Sequence, residues 1–184
     1  IGQYLDVLGS ARQSRNVADA DLICRMKSAK YTIERPLHIG AVAAKPERGL
    51  QLLPMFSAYG LPLGDAFQMR DDILGAFGDP VLTGKPVGGD FVEGKPTPML
   101  ARAYAVATAS QLQILELIGS PELSESDVVK IQDVVVATGA VSEMESLIVT
   151  LRDEAIQSLD ESVMQGDSYL ALVELADTVT RRTV

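Results

Sequence analysis

Gly64-Asp65-Ala66-Phe67-Gln68-Met69-Arg70-Asp71-Asp72-Ile73-Leu74-Gly75 is the stretch that decides the fold. It closes a longer run, 46–77, in which Leu50, Leu53, Phe56, Tyr59, Leu63, Phe67, Ile73 and Leu74 recur near the helical repeat. Apolar side chains at that spacing form one buried stripe along a helix. Pro54 and Pro62 are expected kinks, and Asp71 and Asp72 set two carboxylates near the end of a mostly buried element.

Upstream, over 18–44, Leu22, Ile23, Met26, Ala29, Ile33 and Leu37 repeat at steps of three and four, so a second helix is expected there. Pro36 should bend or break it. The opening Ile1-Gly2-Gln3-Tyr4-Leu5-Asp6 reads like the middle of an amphipathic element, with the natural N-terminus expected upstream. Downstream, five glycines, two prolines, two lysines and three acids fill 78–95, which predicts one long loop.

Helical periodicity returns over 97–118, and Gly119-Ser120-Pro121 predicts a turn. Ser124 followed by Asp127 predicts a capped helix start. Further helices are expected to about 138, then from 139 through Val141, Met144, Ile148, Leu151, Ala155 and Leu159, and over 169–179. Alternating strand-like runs are absent, so the fold class is all-α, one helical domain over 1–184.

The 184 residues suffice for a core, and 47% hydrophobic against 22% charged residues is an ordinary globular composition. A net charge of -9 repels a polyanion, so no nucleic acid is expected as a partner. Cys24 is the only cysteine, which excludes an internal disulfide and fits a cytoplasmic location. No window of about eighteen uninterrupted apolar residues exists for a membrane span.

Two adjacent carboxylates repel and raise each other's pKa unless a cation lies beside them. Few, hard oxygen ligands suit Mg²⁺, which keeps several waters and is shared with substrate phosphates. An isolated Asp-Asp pair is more often a solvated acidic face. The loop behind it shifts the balance: Lys85 and Lys95 each follow a glycine, where backbone and ammonium can both approach an anion. Lys95 also precedes a helix start, a favourable place for a phosphate. Gly89 to Lys95 matches the spacing of a P-loop, but Pro96 stands where a hydroxyl should bind Mg²⁺ and no apolar strand precedes it.

The run from Gly64 to Gly75, with Gly78-Asp79, Thr83-Gly84-Lys85, Asp90 and Gly94-Lys95-Pro96-Thr97 after it, resembles the second aspartate-rich motif of the trans-isoprenyl diphosphate synthases. Lys27-Ser28-Ala29-Lys30-Tyr31 resembles the family's Lys-Thr segment, and Gly2-Gln3-Tyr4-Leu5-Asp6 its Gly-Gln-x-x-Asp segment. Arg35-Pro36-Leu37 and Phe77-Gly78-Asp79-Pro80 look closest to bacterial geranylgeranyl-type synthases. The resemblance covers the whole chain but only the C-terminal half of such an enzyme, an isoprenoid-synthase-type helical bundle. It implies that the first aspartate-rich motif lies before Gly2, so this chain alone is expected to be inactive.

What the resemblance implies is a Mg²⁺-dependent prenyltransferase that condenses an allylic diphosphate with isopentenyl diphosphate, working as a homodimer when full-length. Carried over by position, Asp71 would be a direct metal ligand and Asp72 a mainly water-mediated one. Lys27, Lys85, Lys95, Gln68 and Gln3 would hold substrate, and Gln68 and Ser28 would turn oxygen dipoles towards an allylic cation. Lys27, Ser28, Gln68 and Asp71 are thus the expected catalytic residues. Two departures stand out: Gly75 occupies the third acidic place of D-D-x-x-D, its metal contact either lost or supplied by Asp79, and Ser28 replaces Thr. The alternative is a catalytically incomplete partner or regulatory subunit of such a synthase, while a terpene cyclase fits the Gly-Lys loop poorly. His38 and Cys24 are expected to be structural, and Arg181 and Arg182 to belong to a solvated tail.

Overall fold

The computed structural model describes residues 1–12, 14–78, 88–164 and 166–181, and every regular element among them is helical, with no strand. Helix α1 is Gly2–Ala11. α2, Val17–Cys24, starts where the Asn16 side chain accepts from the Asp19 N–H. It passes without a break into a π-helical segment, π1, Arg25–Glu34, and then into α3, Arg35–Ala44.

The interruption expected at Pro36 is therefore a change of hydrogen bonding rather than a break. The Arg35 N–H donates to the Lys30 carbonyl, five residues back, and Pro36 falls in the first turn of α3. A proline ring crowds the carbonyl four residues behind it in a regular α-helix, and the wider π-turn leaves it room.

Helix α4, Pro46–Phe77, spans 32 residues and continues through Pro54 and Pro62. It is the axis of the molecule, packing on π1, α3 and, from the other side, on α9 and α10. The loop expected over 78–95 contains a short helix, α5, Gly89–Glu93, entered at Gly88 and left at Gly94, both in the left-handed region that glycine tolerates. The helix expected over 97–118 is two: α6, Pro98–Val106, and α7, Ala109–Leu115. Extended backbone at Ala107 and Thr108 separates them, and Thr108 with Gln111 forms a reciprocal capping box that starts α7. α8, Glu125–Ala137, begins at the predicted cap, with Ser124 accepting from Asp127 N–H. α9 is Ala140–Gln157 and α10 is Gly166–Thr180.

One apolar cluster joins Ala66, Met69, Ile73 and Ala76 of α4 to Phe91, Met99, Leu115, Ile131, Met144 and Ile148. A second, lower on α4, joins Tyr59 and Leu63 to Ala155, Leu159 and Ala176. The opposite face of α4 lies against π1 through small residues. A Cβ on Gly64 would strike Ala29 Cα, and one on Gly60 would come within 2.9 Å of Glu34 Cα. The two backbones therefore approach as closely as sterics permit, which sets Ser28 opposite Gln68. Among the described residues, no single helix is long and apolar enough to cross a membrane.

Candidate functional site

The site lies at the C-terminal end of α4, where π1 crosses it and α5 closes over it. Asp71 and Asp72 are neighbours in sequence and opposites in environment. Asp71 is exposed, whereas Asp72 is buried at 5% exposure. The Gln68 amide donates to Asp72 Oδ1 at 2.8 Å, and Asp72 Oδ2 is buried without a hydrogen-bond partner. Burial pushes the Asp72 carboxyl up to about 8; the Gln68 bond opposes this, while Asp90 and Asp71 add to it. An orphaned carboxylate oxygen in that setting costs free energy unless a proton or a cation reaches it.

From Asp72 a polar chain runs back across the helix crossing. Gln68 Oε1 accepts from the Ser28 hydroxyl, and Gln68 Nε2 donates onward to Asp72. Ser28 and Gln68 are thus linked to each other, Ser28 being 5% exposed. Lys27 Nζ pairs with Asp6 Oδ2 of α1 at 2.6 Å, which joins the Gly-Gln-x-x-Asp and Lys-Ser segments. Gln3 is exposed on α1, one turn before that pair.

Lys95 Nζ pairs with Asp90 Oδ1 at 2.6 Å and Glu93 Oε2 at 2.8 Å. Burial opposes the charge on Lys95, but the bonds to Asp90 and Glu93 outweigh it and hold the ammonium above its ordinary value. Lys85, with Thr83, Gly84 and Asp79, lies outside the described residues, as does Arg182. Arg181 pairs with Asp177 at 3.3 Å.

Two supports went unnoticed in the sequence. Asp65 accepts from Arg25 Nε at 2.7 Å and from the same guanidinium's Nη2, tying the start of π1 to α4. Arg70 makes a two-pronged bond to Glu145, both at 2.7 Å, and donates to the Thr180 carbonyl at 2.8 Å, so α9 and the end of α10 are fastened beside Asp71. Asp90, quoted above with the aspartate-rich motif, comes beside Gly75 of α4 from α5. The signal for the first two, charged residues inside an apolar helix, was present in Gly64–Gly75; the partners lie 40 and 75 residues away. Cys24 is buried at 3% exposure with its Sγ 3.9 Å from Asp65, and His38 is half-buried with Nε2 3.0 Å from the Ser57 hydroxyl.

Among the described residues, no three His, Cys, Asp or Glu side chains converge tightly enough to hold an ion by themselves. The donor set still fits Mg²⁺. Asp71 and the orphaned oxygen of Asp72 offer hard oxygen donors, few in number, the kind of set that suits an ion whose shell water and phosphate oxygens would complete.

Residues 1–135 match the pattern of the polyprenyl synthetase family. The chain is 41% identical over 145 residues to the geranylfarnesyl diphosphate synthase of Aeropyrum pernix, covering 79% of this chain and 44% of that one. It is 28% identical over 183 residues to the geranylgeranyl diphosphate synthase of Mycobacterium tuberculosis, 99% of this chain and 50% of the other. Its fold superposes with a TM-score of 0.91 at 36% identity on a geranylgeranyl pyrophosphate synthase of Corynebacterium glutamicum, solved with isoprenyl diphosphate and magnesium. That match covers 99% of this chain and 51% of the other. The chain thus spans about half the length of these relatives. With the helical crossing, the acidic helix end and the matched residues agreeing, this chain belongs to the polyprenyl synthetase family.

Proposed function

We propose that the full-length protein is a Mg²⁺-dependent prenyltransferase that lengthens an allylic diphosphate with isopentenyl diphosphate, and that this chain carries the half-site built on Asp71 and Asp72. The observation that carries the reading is the orphaned, buried oxygen of Asp72 beside an exposed Asp71. A buried carboxyl oxygen is rarely left in that state unless a proton or a cation serves it, and beside an exposed second carboxylate a cation can serve both.

In this reading Asp71 and Asp72 hold the metal, and Lys27, Lys85 and Lys95 hold the diphosphate, with Gln3 at the edge of the site. Mg²⁺, when bound, neutralises charge that develops on the departing diphosphate. The lysines act in the same direction: an ammonium aimed at the leaving oxygens stabilises them more as the C–O bond breaks than before. Lys27 and Lys95 are each paired with carboxylates here, so substrate exchanges one anionic partner for another and neither lysine is left bare. Ser28 donates to Gln68 Oε1, which holds the two side chains together, and in this reading Gln68 and the Ser28 hydroxyl both turn oxygen dipoles towards the allylic cation. The proposal includes a homodimer of the full-length protein. Tyr31 and Ile39, 79% and 69% exposed, are apolar surface available for such contacts.

The test is Asp71→Ala in the full-length protein, with turnover measured against its circular dichroism spectrum. Turnover should fall by about a hundredfold or more, the scale of losing one pre-aimed electrostatic contact, while the helical signal is kept. A variant that condenses the two diphosphates at near wild-type rate overturns the assignment.

A further inference from the structure

Where π1 crosses α4 the two backbones touch at two points, and the points are unequally spaced on the two helices. A Cβ on Gly64 would strike Ala29 Cα, and one on Gly60 would come within 2.9 Å of Glu34 Cα. On α4 the two glycines stand four apart and share a face. On π1 the residues that meet them stand five apart. In an α-helix a step of five overshoots a full turn by about 140°, so Ala29 and Glu34 could not both face α4. Bonding to the fifth residue back widens the turn and brings them to one side. Contact at both glycines therefore depends on the π register.

That register ends on a buried acid which the site chemistry leaves unused. Glu34 is the last residue of π1 and is 3% exposed. The Ser57 hydroxyl of α4 donates to its Oε1 at 2.8 Å, and Ser57 lies 3.0 Å from His38 Nε2 of α3. The same nitrogen is 3.2 Å from the Leu53 carbonyl, which can only accept, so Nε2 carries the proton and donates. Glu34 Oε2 makes no hydrogen bond and lies 3.5 Å from Lys30 Nζ and 3.6 Å from Arg35 Nε. Burial works against the charge on Glu34, but the Ser57 bond, Lys30, Arg35 and His38 outweigh it and hold the carboxyl below its ordinary value. At the other end of π1, Arg25 donates to Asp65 of α4 at 2.7 Å. Lys27 and Ser28 lie between these two fastenings.

We propose that Glu34 is a positioning residue: held against α4 by Ser57 and His38, it keeps π1 in its five-residue register and so holds Lys27 and Ser28 at the site. This rests on the reading above, in which Lys27 holds the diphosphate. Glu34 itself touches neither metal nor substrate in that reading and acts along the backbone of π1. Without the Ser57 bond the segment is free to return to bonding with the fourth residue. That turns one end of π1 against the other by about 100° for each residue of register and takes Lys27 away from its place beside Asp6.

The experiment is a calorimetric titration of the full-length protein with inorganic diphosphate at saturating Mg²⁺, with thermal unfolding of each variant beside it. Glu34→Ala should weaken binding about tenfold or more, the scale of one lost charge-assisted hydrogen bond from Lys27. Glu34→Gln keeps an oxygen for Ser57 and should bind within a few-fold of wild type. Ser57→Ala removes one oxygen from a half-buried position, should weaken binding in the same direction, and serves where Glu34→Ala does not fold. The deciding measurement is the combination with Lys27→Ala. In that background Glu34→Ala or Ser57→Ala should cost no more than about twofold further, because the contact they disturb is already gone. Losses that simply add overturn the proposal, and so does wild-type binding by both Glu34→Ala and Ser57→Ala. Ile131→Ala, which destabilises the apolar side of α4, should bind as wild type; if it weakens binding as Glu34→Ala does, the effect follows stability and the proposal falls. Lys27→Ala alone separates the two readings. Wild-type binding by that variant removes Lys27 from the diphosphate site. If it binds weakly while Glu34→Ala binds normally, only the role of Glu34 falls.

Discussion

On one side of α4, Ala66, Met69, Ile73 and Ala76 enter an apolar cluster with α6, α8 and α9; on the other, Gly60, Gly64, Gln68 and Asp72 face π1. The first side is closed by bulk, with Ile131, Met144 and Ile148 almost fully excluded from water. The second is closed by the absence of bulk, so that backbones meet and a polar chain fits between them. Bulk tolerates a missing methylene at a cost, whereas backbone contact tolerates no added atom. One helix thus serves as core on one face and as a site on the other, and the two faces should fail differently.

The largest expected effect tests that difference. Gly64→Leu would drive its Cβ into Ala29 Cα and force π1 off α4. It should cost more than about 4 kcal/mol, the top of the range for single substitutions, and abolish the folded state in urea titrations of an otherwise stable protein. Ile131→Ala, on the apolar side, leaves a cavity and should cost about 2–5 kcal/mol with a cooperative transition retained. A Gly64→Leu protein as stable as Ile131→Ala would mean that the helix pair can separate cheaply, and the contrast would be lost.

A smaller effect belongs to Asp72 alone. Its folded carboxyl titrates at about 8 because it is buried, against about 4 for an unfolded aspartate. Between these values the folded protein holds a proton that the unfolded chain has released. Stability without metal should therefore fall as pH rises from about 4 to about 8 and level off above. Asp72→Asn should flatten that slope in melting curves. Added Mg²⁺ should release the same proton below pH 8, visible as a heat that depends on the buffer's ionisation enthalpy. Equal heats in phosphate and Tris would show that Asp72 does not exchange its proton for the metal.

The apolar face of α4 could be read from the sequence because a spacing of three and four over 32 residues is a one-dimensional signal. The acidic pair and the lysines could be read as a pattern. The π-segment could not, since hydropathy steps do not distinguish bonding to the fourth residue from bonding to the fifth. Nor could the approach of Asp90 to Gly75, because the meeting of residues 75 and 90 exists only in space, while the expectation that the metal contact at 75 is lost or supplied by Asp79 falls on a residue outside those described. Yet a glycine where a carboxylate was expected is itself a mark, because it asks what fills the vacated volume. The break between α6 and α7 was legible in retrospect. Thr108 with Gln111 is a capping box, but Leu112 and Leu115 carry the apolar spacing across it and hide the boundary.

That cap supplies the smallest test of the two faces. Thr108 accepts from the Gln111 N–H through its hydroxyl, and the Gln111 side chain accepts from the Thr108 N–H at 2.9 Å. The helix it starts ends in Leu115, fully buried on the apolar side, whose carbonyl accepts from the Tyr104 hydroxyl at 2.6 Å. Thr108→Ala should cost about 1 kcal/mol, the usual effect of losing an N-cap, and lower the urea midpoint accordingly. Because α7 supports the core cluster through Leu115, and Gln68 and Asp72 lie on the face of α4 turned to π1, Mg²⁺-dependent binding of inorganic diphosphate, measured by calorimetry, should be unchanged. A shift in Mg²⁺-dependent binding from so remote a cap would show that the apolar side sets the position of the acidic helix end, and the division of labour along α4 would have to be given up.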